Sequence, residues 1–352
     1  MFMVEVPQYI EPIITMLCEE DWLTHSFDVQ GRDIYNVSGY LCNNKMDGVE
    51  YVVIIDSNLL QFMINAVKRE GGNSKQRAAI GFIVFCQIAN IDIDPTYACY
   101  EKSFRSDGGA AEAADYLSIF NCLNSADNKN LAEFALGYSD SIDIGNDFLT
   151  DRQDVISKLT KYKQLKDWRC LYLMVLKIVH LKYYKNAKTP EDSISEFFQW
   201  CYDTYRFSIS ASIFAVILFG NSPIRNMMKF KKNKTKLEKI GALENMTWDL
   251  YIMSKFFRSW VEPDYVNKEY LLASDDKPFT EIIRTVIKIQ SNFDSLFSYL
   301  SSQISGETIK FLANIERMRQ LNTDFIGRVY GSEKWNPDYR DKLISEFENA
   351  IL

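Results

Sequence analysis

Apolar runs separated by polar breaks predict alternating strands and helices in the first third of the chain. Residues 51–55 form a continuous run of strand-forming apolar side chains that ends at Asp56, as in a buried strand of a parallel sheet. Apolar residues then recur at helical spacing through residues 59–67, and Ser57 or Asn58 can cap that helix. Because ligands of open α/β sheets bind at the carboxyl ends of the strands, Asp56 lies where a functional side chain is expected.

A second strand and its helix follow the same pattern. Residues 74–90 predict a helix that is apolar on nearly all sides, which is typical of a helix buried against a sheet. Residues 91–93 predict a short strand, after which Asp94 can cap a helix and Pro95 suits its first position. Glu101 falls about two turns into this helix. The commoner fate of such a residue is that of a surface glutamate.

Helical periodicity dominates the rest of the chain, apart from one more strand. A helix is predicted at residues 245–260, with Asp249 in its first turn, where the helix dipole favours an ionised carboxylate. Residues 269–273 predict a short buried strand. Four polar residues end that strand: Ser274, Asp275, Asp276 and Lys277. Further helical patterns cover residues 7–20, 154–166, 167–184, 191–206, 208–219 and much of 281–352.

Composition narrows the chemistry that the chain can carry. Its 352 residues are 47% apolar, which allows a large core, and the net charge of −7 gives no global attraction to nucleic acid or to an anionic membrane. Seven scattered cysteines favour reduced thiols, and two histidines leave little material for a zinc site or a histidine-based triad. No signal peptide is visible, and the apolar runs fall short of the roughly 20 residues of a membrane span. We therefore expect a cytoplasmic protein without a membrane partner, in which any catalysis uses carboxylates.

One segment departs from the acidic average. Residues 225–240 carry seven cations against a single anion, Glu238, which gives a local charge of +6. This segment is either a contact for the phosphate backbone of a nucleic acid, through Lys231, Lys232 and Lys234, or a solvated loop. Lys277 also has two alternatives: it can contact phosphate, or it can form a salt bridge with the acids beside it.

The order of these elements resembles that of a PIN-type nuclease domain. Four features carry the resemblance: the strand that ends in Asp56, the capped helix with Glu101, the helix that opens with Trp248 and Asp249, and the strand that runs into Ser274-Asp-Asp-Lys. The resemblance implies an α/β fold, with a central parallel sheet flanked by helices. It implies five consecutive parts: an N-terminal extension (1–50), the first part of the nuclease domain (51–105), a mostly helical insertion (106–240), the second part of the domain (241–284) and a helical C-terminal extension (285–352).

The resemblance also assigns roles to the acids. Asp56 would be the central ligand of a Mg²⁺ or Mn²⁺ ion, with Asp249 and Asp276 completing the metal site and Asp275 as the alternative to Asp276. Glu101 would support the site as a fourth catalytic acid. Asn58 and Ser274 would orient the carboxylates. Such ions prefer carboxylate oxygens, and they can activate water and relieve charge on a phosphoryl group.

The function implied is a metal-dependent endoribonuclease, with RNA or single-stranded DNA as substrate. Nucleases of this type occur as toxins of toxin–antitoxin pairs and in anti-phage defence, so a regulatory or inhibitory protein partner and oligomerisation are both expected options. Two alternatives stay open within the resemblance: a catalytically silent scaffold that binds RNA or protein, and a structure-specific DNA nuclease. The structural alternative is that each acid is only a helix cap or a surface residue.

Overall fold

Helices and one small sheet form two compact units in the computed structural model of this chain. The structure describes residues 6–27, 31–69, 71–104, 109–145, 151–161, 165–185, 189–260, 267–290, 293–321 and 336–352. The first unit comprises Met1–Lys163 and Phe256–Thr280, and the second comprises Gln164–Lys255 and Glu281–Leu352. Each unit is described by itself below.

The sheet of the first unit has four strands. They are β1 (Leu23–His25), β2 (Glu50–Ile55), β3 (Ile91–Asp94) and β4 (Lys268–Ala273), in the spatial order β1, β4, β2, β3. Strand β2 pairs in parallel with β3 and with β4, and its last residue, Ile55, lies opposite Ala273 of β4. Strand β1 pairs with β4 in the antiparallel direction. The carboxyl ends of β2, β3 and β4 therefore share one edge of the sheet.

This topology corrects the predicted fold class. The PIN-like fold with a central parallel sheet was wrong, because the sheet is small and mixed, and helices make up most of the described chain. The difference arises from β1, whose three residues were assigned to an extension beside the sheet. A strand of three residues is too short to show a periodicity. Its position is decided by the open edge of β4, which needs a hydrogen-bonding partner. The broader class, a mixture of helices and strands, holds.

Helices cover the sheet of the first unit. In chain order they are α1 (Ile10–Glu20), α2 (Val37–Asp47), α3 (Ser57–Lys68), α4 (Ser74–Ala89), α5 (Thr96–Phe104), α6 (Gly109–Asn124), α7 (Asn128–Ala135) and α8 (Arg152–Lys161), with a 3₁₀ turn at Gly31–Tyr35. Helix α4 starts with a capping box formed by Asn73 and Gln76, and it is apolar on nearly all sides as the sequence predicts. Its Phe82 and Phe85 are fully buried with Val53 of β2 in the core.

The described secondary structure of the second unit is helical. It contains α9 (Lys166–Tyr183), α10 (Pro190–Asp203), α11 (Ile209–Phe219), most of α12 (Lys236–Arg258) and of α13 (Lys277–Gln290), α14 (Phe293–Gln303), α15 (Gly306–Leu321) and α16 (Pro337–Ile351). A stretch outside the helices, residues 220–235, joins α11 to α12. Helix α9 packs against α16, and α10 packs against α15 and α11. Over the described parts of both units, no helix combines the length and the apolar character that crossing a membrane requires.

Candidate active site at the carboxyl edge of the sheet

Asp56 is fixed by both of the elements that it joins. It follows β2 directly and is the N-cap of α3, where its Oδ1 accepts a hydrogen bond from the Leu59 N–H at 2.8 Å. Its own N–H donates to the Ala273 carbonyl at the end of β4, at 3.1 Å. The side chain is only 6% exposed. Parallel pairing of β2 with β4 thus places this carboxyl in the interior, at the edge where the strands end.

The turn after β4 wraps around the same carboxyl. The Ser274 hydroxyl donates to Oδ2 of Asp56 at 2.5 Å, and the Asp275 N–H reaches the same oxygen at 3.3 Å. Ser274 Oγ in turn accepts a hydrogen bond from the Asp276 N–H at 3.0 Å. The Ser274 hydroxyl thus holds one oxygen of Asp56 and the Leu59 N–H holds the other, so both oxygens are engaged with hydrogen-bond donors.

A second buried acid acts on Asp56. Glu101 lies on α5 and is 5% exposed. Burial raises the pKa of Asp56 to about 7, the hydrogen bonds from Ser274, Leu59 and Asp275 oppose this rise, and the charge of Glu101 adds to it. Two carboxyls therefore lie buried at one edge of the sheet, and one of them changes its protonation state near neutral pH.

Asp275 is held by two residues that sequence analysis missed. Its Oδ1 accepts hydrogen bonds from Trp22 Nε1 at 2.8 Å and from Lys75 Nζ at 2.6 Å. Lys75 also pairs with Glu20 of α1 at 2.5 Å. Lys75 and Asp275 are 200 positions apart, and Lys75 stands in no motif, so no sequence signal could have joined them. The carboxylate expected as an alternative metal ligand thus has a lysine as its counter-ion.

Asp276 caps the next helix. Its Oδ1 accepts from the Phe279 N–H at 3.0 Å in the first turn of α13, and the Thr280 N–H donates to its main-chain oxygen at 2.9 Å. Lys277 is exposed at the start of α13. Asn58 is exposed in the first turn of α3, and the donor to Asp56 there is the Leu59 main chain.

Asp249 belongs to the second unit. Helix α12 begins at Lys236, so Asp249 lies in the body of the helix, and the predicted first-turn position was wrong. The Lys229 ammonium lies 2.6 Å from Asp249 Oδ2 and also donates to the side chain of Asn245. The structure thus groups Asp56, Glu101, Asp275 and Asp276 in the first unit. Three of the four predicted nucleic-acid contacts, Lys231, Lys232 and Lys234, are exposed in the second unit.

The carboxylates at this edge of the sheet are suitable donors for a divalent metal ion, but they are not arranged as a metal site. Carboxylate oxygens are the donors that Mg²⁺ and Mn²⁺ prefer. However, within the ranges that the structure describes, no group of three or more His, Cys, Asp and Glu side chains is arranged to hold a metal ion. In addition, both oxygens of Asp56 already accept hydrogen bonds, and the Asp275 carboxylate has a lysine partner.

Comparisons with known proteins add no relative. No protein-family profile matches the chain, and neither the curated proteins nor the solved structures contain a match to it. The chemistry of the sheet edge therefore has to carry the functional argument.

Proposed function

We propose that this chain is an endoribonuclease. It hydrolyses phosphodiester bonds at a site that contains Asp56 and Glu101, at the carboxyl edge of the sheet. The observation that carries the proposal is the buried Asp56 carboxyl, whose pKa of about 7 stands well above the ordinary value of 3.8. Carboxyls with strongly shifted pKa values are frequent at functional sites, because catalysis needs groups whose pKa matches their task, and burial supplies the shift.

A carboxyl of this kind suits proton transfer. Hydrolysis of a phosphodiester needs a base to take a proton from the attacking water and an acid to protonate the leaving oxygen. General acid–base catalysis is most effective when the pKa of the catalytic group lies near the working pH. Asp56 meets that condition, and Glu101 next to it supplies the second carboxyl. Lys75, whose side chain is 34% exposed beside Asp275, offers positive charge for a phosphate.

Mg²⁺ or Mn²⁺ remains part of the proposal as a cofactor. When bound, such an ion would neutralise charge on the phosphoryl oxygens. The described hydrogen bonds to Asp56 would have to rearrange before this carboxyl could act as a ligand, so no step above depends on the metal.

A second candidate is a binding scaffold without catalysis. Asp56 and Asp276 both accept main-chain N–H groups at the start of helices, and capping is a sufficient structural role for each of them. In that case, the chain would bind RNA or a protein without cleaving either.

Labelled single-stranded RNA and DNA, incubated with the purified chain in Mn²⁺, Mg²⁺ or EDTA, separate the two candidates. We expect RNA cleavage that falls at least about a hundredfold in Asp56→Asn and in Glu101→Gln. Asp127→Asn is the matched control, since Asp127 caps α7 in the same way but is exposed. Binding without cleavage under every condition would support the scaffold. Cleavage that survives in Asp56→Asn would remove the proposed site.

A further inference from the structure

Five exposed cations lie within twelve consecutive residues of the second unit. They belong to residues 225–236, here named the basic segment, and they are Arg225, Lys231, Lys232, Lys234 and Lys236. The nearest acid along the chain is Glu238, which pairs with Lys234 at 2.7 Å. In a chain of net charge −7, such a concentration of positive charge costs self-repulsion, and packing does not require it, because these side chains face solvent.

The middle of the basic segment is anchored to the helices of its unit. Phe230 is fully buried, and its carbonyl accepts a hydrogen bond from the Tyr183 hydroxyl at 3.1 Å. The preceding residue, Lys229, is bound to Asp249 of α12 at 2.6 Å. These contacts hold the backbone from which the exposed cations project.

The end of the segment is anchored as well. Thr235 and Glu238 form reciprocal hydrogen bonds at the start of α12, at 3.0 Å from the Thr235 N–H and 3.3 Å from the Glu238 N–H. Lys239 then donates to the Ile351 carbonyl at the end of α16, at 3.1 Å. A solvated loop needs no such fixation, whereas cations on a fixed backbone bind an anionic chain with less loss of conformational entropy.

An aromatic ring accompanies the charge. The Lys232 ammonium lies 4.5 Å from the centre of the Tyr184 ring, which is partly exposed at the end of α9. The same ring is stacked on His180, with centroids 6.4 Å apart, so it positions Lys232 at the surface. Cations positioned in this way can follow the phosphate backbone of a nucleic acid. An anionic membrane fits less well, because a membrane-binding helix needs a broad apolar face. Near these cations, the one large apolar side chain with high exposure among the described residues is Leu237.

We infer that the basic segment is the surface on which the second unit docks the phosphate backbone of single-stranded RNA. The choice of RNA as the ligand rests on the proposed function, and the basic segment adds a binding surface to it. Binding is measured here without cleavage, so the two can fail separately.

The test measures the affinity for a short fluorescent single-stranded RNA in EDTA, by anisotropy over a series of salt concentrations. The full chain is compared with the variant Lys231→Ala, Lys234→Ala, Lys236→Ala. Each phosphate contact contributes about 0.7 to the slope of log affinity against log salt for a single strand, so we expect the slope to become shallower by about 2. Gels before and after the measurement verify that the RNA is intact.

Two control variants make the result specific. Lys129→Ala, Lys158→Ala, Lys342→Ala removes three other exposed lysines and should keep the wild-type slope. Replacement of Lys231, Lys234 and Lys236 by arginine should also keep it, because the charge is retained. Circular dichroism melts establish that every variant is folded.

Three outcomes would overturn the inference: an unchanged slope in the test variant, an equal loss in the control variant, or wild-type protein that binds phosphatidylserine vesicles but not RNA. Loss of RNA binding in the test variant, in a protein that cleaves nothing, would leave this surface standing while the proposed nuclease activity fails.

Discussion

Replacing Asp56 by asparagine should change how the stability of the first unit depends on pH. The folded chain raises the pKa of Asp56 from 3.8 to about 7, mainly through burial. The folded state therefore binds the Asp56 proton more tightly than the unfolded state does. Between these two pKa values the wild-type chain loses stability as pH rises, at up to about 1.4 kcal/mol per pH unit. Asparagine cannot ionise, so this loss should be absent from Asp56→Asn.

The size of the effect follows from the pKa difference. About three pH units at about 1.4 kcal/mol each give a limit of about 4 kcal/mol, of which about 3 kcal/mol should fall between pH 5 and pH 8. The substitution also has a cost that does not vary with pH. An amide nitrogen facing the donors at Oδ2 leaves the Asp275 N–H without its acceptor, which costs about 1–3 kcal/mol. The slope against pH, and not the absolute difference, is therefore the quantity to measure.

The contribution of His25 to the pH dependence of stability has to be separated from that of Asp56. Burial lowers the pKa of His25 to about 4, and the Phe27 N–H donates to Nδ1 at 3.1 Å, which requires that nitrogen to be unprotonated. The Glu269 carboxylate, 3.5 Å from Nε2, acts in the opposite direction but does not outweigh burial. His25 therefore contributes stability that is lost as pH falls from about 6.5 towards 4. Its effect opposes that of Asp56 between about pH 4 and pH 6.5, so the wild-type curve alone would hide much of the Asp56 contribution in that range.

Urea unfolding of wild type and Asp56→Asn at matched pH values removes the His25 contribution. Pulse labelling of Cys86 and Cys99 restricts the measurement to the first unit, because both thiols are buried there. The stability of wild type relative to the variant should fall from pH 5 to about pH 7 and level off towards pH 8. A difference that is constant over this range would refute the raised pKa of Asp56, and with it the argument for proton transfer.

Two further predictions concern the supports of the site. Lys75→Met should destabilise the first unit by about 1–2 kcal/mol, because Asp275 loses its counter-ion while the partial exposure of Lys75 limits the cost. Urea unfolding would measure this loss of stability, and Lys75→Arg should restore most of it. Gly81→Val should cost about 2–3 kcal/mol in the same assay, because a Cβ at this position lies 3.2 Å from Ile13 Cγ2 between two packed helices. Gly241→Val, where a Cβ meets nothing within 4 Å, is its control in the second unit, whose unfolding is followed through the buried Cys170 and Cys201. Equal losses at the two sites would refute the packing argument.

Local patterns predicted the elements that carry the candidate site. The strand before Asp56, the helix after it, and the strand and capped helix that lead to Glu101 all form where apolar periodicity and cap residues placed them. The strand that ends at Ser274 is also correct. These elements are determined by neighbours in the sequence, and one element alone can display each signal.

Tertiary pairing decided what the sequence could not show. Strand β1 has too few residues to display a pattern, and the Lys75–Asp275 contact joins distant parts of the chain. The start of α12 is a different case, because Thr235 and Glu238 carry a readable capping-box spacing that was overlooked. The prediction gave weight to the apolar stripe of α12 and missed its polar first turns, so Asp249 was assigned to the wrong part of the helix.

The contrast between two helix caps argues that Asp56 does more than cap. Asp127 and Asp56 both accept main-chain N–H groups at the start of a helix, but Asp127 is exposed and its charge is solvated. Asp56 is buried, and its pKa of about 7 means that its ionised form destabilises the fold. A serine at this position would cap α3 nearly as well without a buried charge. A serine could not also accept the hydrogen bonds that Oδ2 of Asp56 accepts from Ser274 and Asp275, so the carboxyl joins α3 to the turn after β4. The raised pKa is the observation that supports proton transfer as the proposed second role of the same carboxyl.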